Sequence, residues 1–123
     1  MLINKNSEIT SELIEFILNL KNISQVMVLK NKVIQISTNY TLKNHFELFT
    51  IYLYLKDNQW VLSDFENTCE DFLYSSIKKE SLIKNTKRFG FELINNKIEK
   101  KINLNNLENE IENFISFAKK MDI

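Results

Sequence analysis

The sequence predicts an α+β domain in which an antiparallel meander of about four strands, followed later by a hairpin, packs against N-terminal and C-terminal helices. Two patterns lead to this prediction, since apolar and polar residues alternate with a period of two in the middle of the chain and with a helical period near both ends. The chain has 123 residues, of which 44% are hydrophobic and 26% charged, which is typical of one globular domain. We therefore expect a single domain over residues 1–123.

The meander is predicted between residues 33 and 64. Its central strand should alternate between a buried apolar set, Phe49, Ile51, Leu53 and Leu55, and an outward set, Thr50, Tyr52, Tyr54 and Lys56. The two tyrosines should half-bury their rings and keep their hydroxyls in water. Asp57 and Asn58 tolerate the backbone of a tight turn, so residues 60–63 should pair back on 52–55. Strands near residues 33–36 and 26–29 should complete the set.

Helices are predicted on both sides of the meander. The first should span about residues 7–20 and bury the face formed by Ile9, Leu13, Phe16, Ile17 and Leu20. The last should follow a cap at Asn103 or Asn105 and bury the stripe Leu107, Ile111, Phe114, Ile115 and Ala118. Both helices should lie against the sheet, because each has one apolar face to cover.

Two further helices and a hairpin are predicted between the meander and the last helix. A short helix should run over about residues 67–75 and a second over 79–89. Gly90, the only glycine, follows the second at the position where a left-handed residue ends a helix. Residues 91–103 should form a hairpin around Asn95 and Asn96, because asparagine tolerates positive φ.

The order of short segments in and after the meander follows a family pattern. The segments are Ile36-Ser37-Thr38, an acidic position at Glu47, residues 51–53, and Leu62-Ser63-Asp64 with Thr68. This order resembles the domain-of-unknown-function 1828 family, found in phages and mobile elements, from about residue 25 to the end. Asn39 replaces a proline of that pattern and Glu66 a turn glycine. The resemblance implies a fold and a genomic setting, and no known chemistry.

The cysteine content and the lack of long apolar stretches predict a cytoplasmic protein. Cys69 is the single cysteine, so an internal disulfide is excluded. The N-terminus lacks a basic-then-apolar leader pattern, and no stretch of about 18 apolar residues occurs. We therefore expect no contact with a membrane.

The residue counts argue against catalysis. His45 is the only histidine, which leaves too few members for a histidine metal site or for a Ser-His-Asp or Cys-His arrangement. A single glycine excludes the glycine-rich phosphate loops. We interpret His45 as a solvated loop residue and Cys69 as buried filler. The sequence therefore predicts no catalytic residues and no cofactor.

One acidic set keeps an alternative open. Asp64, Glu66, Glu70 and Asp71 surround a strand end and the start of a predicted helix, where carboxylates could converge on a divalent cation. Acids at a helix start also favour the positive end of its dipole and keep a surface soluble. We favour this solvated interpretation, and predict no metal.

The charge layout carries more information than the net charge of zero. Residues 1–77 carry a net charge of −3, residues 78–101 one of +5 and residues 102–123 one of −2. The basic residues of the middle segment are Lys78, Lys79, Lys84, Lys87, Arg88, Lys97, Lys100 and Lys101. If the helix and hairpin that hold them are neighbours, these side chains form a basic patch. Because the patch has one arginine, it lacks the forked donors usual in base recognition.

The sequence therefore predicts a small non-enzymatic binding protein of phage or mobile-element type. It should block or modulate a host machine, such as a CRISPR nuclease, through the basic patch and the exposed rings of Tyr52 and Tyr54. The expected partner is a host protein or ribonucleoprotein complex with an acidic surface, with nucleic acid the less favoured partner and a homodimer left open. The alternative function is a metal-dependent nucleic-acid-processing or nucleic-acid-binding protein that uses the acidic set beside the patch.

Overall fold

A computed structural model describes residues 11–42, 48–65 and 79–121 and has an α+β fold, as the sequence predicts. The helices are α1 (Ser11–Leu18), α2 (Lys79–Arg88) and α3 (Leu107–Met121), and a 3-10 turn (Leu104–Asn106) precedes α3. The strands are β1 (Ile23–Val28), β2 (Ile34–Thr41), β3 (Leu48–Lys56), β4 (Gln59–Ser63), β5 (Glu92–Ile94) and β6 (Lys97–Ile102). The predicted helix over residues 67–75 lies outside the described residues.

All six strands form one antiparallel sheet in the order β1-β2-β3-β4-β6-β5. The predicted register between the two central strands is confirmed, because Tyr52 lies opposite Ser63 and Leu55 opposite Trp60. The later hairpin joins the meander through the pairing of β6 with β4. This pairing joins the meander and the later hairpin, which the sequence predicts as two separate units, into one continuous sheet.

Two asparagine-containing turns close the hairpins as predicted. Asp57 and Asn58 have φ of 53° and 61°, and Asn95 and Asn96 have φ of 50° and 64°. Two consecutive positive values are typical of the type I′ turn, whose twist matches that of the flanking strands. The local sequence therefore fixes the register of both hairpins.

The core lies between one face of the sheet and the three helices. The five predicted apolar residues of α3 are all buried, and Phe117 and Met121 extend the buried stripe. Leu53 on β3 is fully buried as predicted, whereas Leu55 is exposed. The prediction for Leu55 was wrong, because Leu55 lies at the end of β3, next to the Asp57-Asn58 turn.

Helix α1 packs on the same core, near β1. Leu13 and Ile17 are buried, and Leu20 contacts the core just after the helix. The predicted start of this helix, with Ile9, lies outside the described residues. None of the described helices combines the length and apolar character needed to cross a lipid bilayer.

Candidate interaction surface

Helix α2 buries one narrow stripe and exposes the rest of its circumference. Leu82 and Thr86 are buried, and the Thr86 Oγ1 donates a hydrogen bond to the Leu82 carbonyl at 2.6 Å. This bond, made within the helix, satisfies the buried hydroxyl of Thr86. The exposed remainder includes Lys79, Ile83, Lys84, Lys87 and Arg88, which we call the α2 surface.

The C-terminal end of α2 is held by specific backbone bonds. Gly90 has φ of 84°, its N–H donates to the Lys87 carbonyl at 3.0 Å, and the Phe91 N–H donates to the Thr86 carbonyl at 3.0 Å. This pair of bonds is the Schellman motif, and it confirms the predicted stop at the only glycine. Asn113 of α3 donates from Nδ2 to the Phe89 carbonyl at 2.9 Å. The basic last turn therefore sits on a fixed scaffold.

The cations of the α2 surface are not neutralised within the described part of the chain. There, Lys84, Lys87 and Arg88 make no ion pair with a carboxylate. Glu80 is the only acid on α2 and lies one turn before Lys84. Two of the cations lie in the last turn, where the helix dipole favours positive charge. The surface therefore presents uncompensated positive charge to solvent.

The three lysines of β6 do not form a single extension of this surface. Lys100 lies on the core side, where its Nζ contacts Glu110 Oε2 of α3 at 3.0 Å and lies 5.9 Å from the centre of the Phe91 ring. Lys97 and Lys101 lie on the opposite face of the sheet, because side chains alternate along a strand. Lys101 is exposed and Lys97 half-buried. Of the predicted basic patch, only the cations of α2 lie together on one element. Lys78 lies outside the described residues.

The predicted aromatic contacts lie on the sheet face away from the helices. Tyr52 is only 9% exposed and stacks on Phe65, with 4.5 Å between ring centres, so the expectation of a half-buried ring was wrong. The Tyr54 hydroxyl donates to Glu99 Oε2 at 3.3 Å. Burial, followed by the negative charge of Glu99, raises the pKa of Tyr54 to about 12. Phe65 was not predicted as a ring partner, because Phe65 follows the strand and has a positive φ that the sequence does not signal.

Asp64 has a structural role that the sequence did not reveal. It is fully buried, its Oδ1 accepts the Ile98 N–H at 2.8 Å, and its own N–H donates to the Ile98 carbonyl at 3.1 Å. These bonds prolong the β4–β6 pairing past the end of β4. The expectation of a solvated carboxylate was therefore wrong for Asp64.

The other residues considered for metal chemistry are not among the described residues. Glu66, Glu70, Asp71, His45 and Cys69 all lie outside the described residues. Within residues 11–42, 48–65 and 79–121, no group of three or more His, Cys, Asp or Glu side chains is placed to hold a metal ion.

A cleft of about 390 Å³ opens where the β3–β4 turn meets the end of β6. Its lining includes Trp60, Lys101 and Leu104. The Trp60 Nε1 has no acceptor among the described residues, but this atom is shielded from solvent and is not offered to a ligand. We therefore take the α2 surface, and not this cleft, as the candidate site.

Comparison with models of known protein families, with curated proteins and with solved structures found no match. The resemblance to the domain-of-unknown-function 1828 family stays a prediction. The function proposed below therefore rests on the geometry of the α2 surface.

Proposed function

We propose that the protein is a non-enzymatic binding protein that docks the α2 surface onto an acidic surface of a larger partner. The observation that carries this proposal is the set of exposed cations on a helix whose end is fixed by backbone bonds and whose charges lack carboxylate partners in the described residues. A rigid charged surface loses little conformational entropy on binding and speeds encounter with a surface of opposite charge. Because the net charge of the chain is zero, this attraction does not come from the charge of the molecule as a whole.

An acidic protein surface suits these side chains better than nucleic acid. Ile83 is 42% exposed amid the cations, so the surface combines positive charge with an apolar contact. Protein interfaces commonly place an apolar centre inside a polar rim. Arg88 is the only arginine among the exposed cations of α2, and lysine is a point charge that does not match phosphate bidentately. The partner we propose is a host protein or ribonucleoprotein complex with an exposed acidic region.

The role as an inhibitor of a host machine, including a CRISPR nuclease, is a finer part of this proposal. It is supported by the resemblance to a phage and mobile-element family alone. The described residues supply no observation in favour of the metal-dependent alternative, because Asp64 is used in strand pairing.

The choice between acidic protein and nucleic acid is tested with two anionic probes. Polyglutamate and a DNA duplex of about 20 base pairs are immobilised, and binding is measured as salt rises from about 50 to about 500 mM. We expect the protein to bind polyglutamate at least as strongly as DNA, and we expect this binding to weaken as salt rises. Stronger binding to DNA would replace the acidic protein partner with nucleic acid. Absence of binding to both probes at low salt would contradict the proposed function.

A further inference from the structure

Among the described residues, no strand pairs with the outer edge of the sheet at β1. β1 pairs with β2 on one side and is the terminal strand of the sheet on the other. Its sequence, Ile-Ser-Gln-Val-Met-Val, contains no charged residue and no proline. Proteins that keep such an edge monomeric usually place lysine, proline or a covering element on it. This edge has none of those side-chain guards.

The hydrogen-bond alternation identifies which backbone groups are free. The Leu29 N–H donates to the Val33 carbonyl at 2.8 Å, which fixes the phase of the β1–β2 ladder. Because bonded and non-bonded pairs alternate in an antiparallel ladder, Met27 and Gln25 point their backbone groups at β2. The N–H and C=O groups of Val26 and Val28 therefore point outward, along the open edge.

Exposed apolar side chains gather near the same edge. Met27 is 45% exposed and Val28 49% exposed. Leu18 at the end of α1 is also exposed, and α1 packs beside β1. The described residues expose seven large apolar side chains, and three of them, Leu18, Met27 and Val28, lie near this edge. The edge thus offers both unpaired backbone and apolar contact.

We propose that β1 pairs with β1 of a second copy of this chain, antiparallel about a twofold axis at Met27. In this register Val26 of each copy lies opposite Val28 of the other, so the free backbone groups of both valines bond each other. The same valines lie on the core face of the sheet, and their apolar side chains continue the core layer across the axis. The two sheets join into one of twelve strands, twice the six that the described residues of one chain form.

Charge supports a second copy as the occupant of this edge. The uncharged strand is flanked by Lys21 and Lys30, and in the proposed register Lys30 lies opposite Ser24 of the other copy. No cation therefore faces a cation directly, and the uncharged residues 25–29 of the two copies lie opposite each other. Like charges placed directly opposite would destabilise the pairing.

The dimer leaves the α2 surface available. α2 contacts β5, which is the opposite edge of the sheet from β1. The inference is thus independent of the proposed function, and either can fail alone.

The oligomeric state is measured by sedimentation velocity from about 1 to about 200 μM, with Val28→Lys and Ile94→Lys as matched variants. Ile94 is 41% exposed on β5, so both variants place a lysine at a similarly exposed apolar edge position. We expect the wild type and Ile94→Lys to approach twice the monomer mass as concentration rises, and Val28→Lys to stay monomeric with an unchanged circular dichroism spectrum. A wild type that is monomeric throughout, or a Val28→Lys variant that still dimerises, would overturn the proposal.

A cross-link tests the register without relying on loss of assembly. Met27→Cys and Gln25→Cys are made in a Cys69→Ser background and oxidised. The two copies of residue 27 face each other at the axis, within disulfide reach, whereas the two copies of residue 25 are offset by four positions, roughly 13 Å. We expect an intermolecular disulfide for Met27→Cys only. A dimer that cross-links through residue 25 and not through residue 27 would overturn this pairing.

Discussion

Helices α2 and α3 pack on the same sheet, yet they use their side chains differently. α3 buries seven of its 15 residues, and α2 two of its ten. Two acidic side chains of α3 have partners inside the molecule, since Glu110 pairs with Lys100 and Glu108 accepts the Lys21 N–H at 3.3 Å. The α2 cations have no such carboxylates in the described residues. The difference indicates that α3 stabilises the fold while α2 is available to a partner.

The largest expected effect is on α3. Phe114 is fully buried, with ring centres 5.5 Å from Phe49 and 4.4 Å from Phe91. Phe114→Ala should lower the free energy of unfolding by about 3–5 kcal/mol, because it leaves a cavity at the centre of the core. Chemical denaturation measures the change. A loss below about 1 kcal/mol would mean that α3 does not carry the core as described.

The sheet beneath both helices should be the next most sensitive. Asp64→Ala removes the acceptor of the Ile98 N–H at the join between β4 and β6. We expect a loss of about 1.5–3 kcal/mol, the usual worth of a hydrogen bond to a charged group. Hydrogen exchange at the Ile98 amide should speed up in the variant. Unchanged protection there would show that the join does not depend on the carboxylate.

Removing one charge should lower the free energy of unfolding more on α3 than on α2, and both changes should be smaller than the two above. Glu110→Gln breaks the ion pair with Lys100. The Glu110 side chain is 16% exposed and the Lys100 side chain 29% exposed. We expect a loss of about 0.5–1 kcal/mol in the free energy of unfolding. The matched variant Lys84→Gln should change it by less than about 0.5 kcal/mol. Equal losses in the two variants would remove the contrast between α3 and α2.

An effect that is absent at neutral pH concerns the face of the sheet that neither helix covers. Because the pKa of Tyr54 is raised to about 12 from an unfolded value of about 10, its stabilising contribution is complete below pH 10. That contribution is lost as pH rises from about 10 to about 12, since the unfolded chain releases the proton first. Tyr54→Phe should flatten the fall in stability over this window, as measured by denaturation at several pH values. An unaltered slope would show that Tyr54 titrates normally.

Local patterns predicted the elements of the fold better than the contacts between them. The stop at Gly90 and the Asn95-Asn96 turn were predictable, because each depends on the conformation of one or two residues. The pairing of β6 with β4 was not, since Asp64 and Ile98 are 34 positions apart and no nearby residue signals their bond. The split of the β6 lysines between the two faces of the sheet could have been predicted from the sequence. Strand alternation alone puts Lys100 and Lys101 on opposite faces.

The central claim, that the α2 surface is the binding surface, has a direct test. The triple variant Lys84→Glu, Lys87→Glu, Arg88→Glu is compared with Lys30→Glu, Lys56→Glu, Lys120→Glu, which changes the net charge equally at other exposed positions. The control variant should unfold within about 0.5 kcal/mol of the wild type, because its three side chains are exposed. The α2 variant should lose about 1–2 kcal/mol, since two of its glutamates replace cations in the last turn of the helix, where the dipole favours positive charge. Both variants should stay folded, as checked by circular dichroism.

Association with immobilised polyglutamate at about 50 mM salt is then measured for all three proteins. We predict that the α2 variant loses most of the wild-type association rate and that the control variant keeps most of it, because steering depends on where the charge lies. Equal losses in the two variants would show that only net charge matters. A wild-type rate in the α2 variant would place the binding surface elsewhere and contradict the claim.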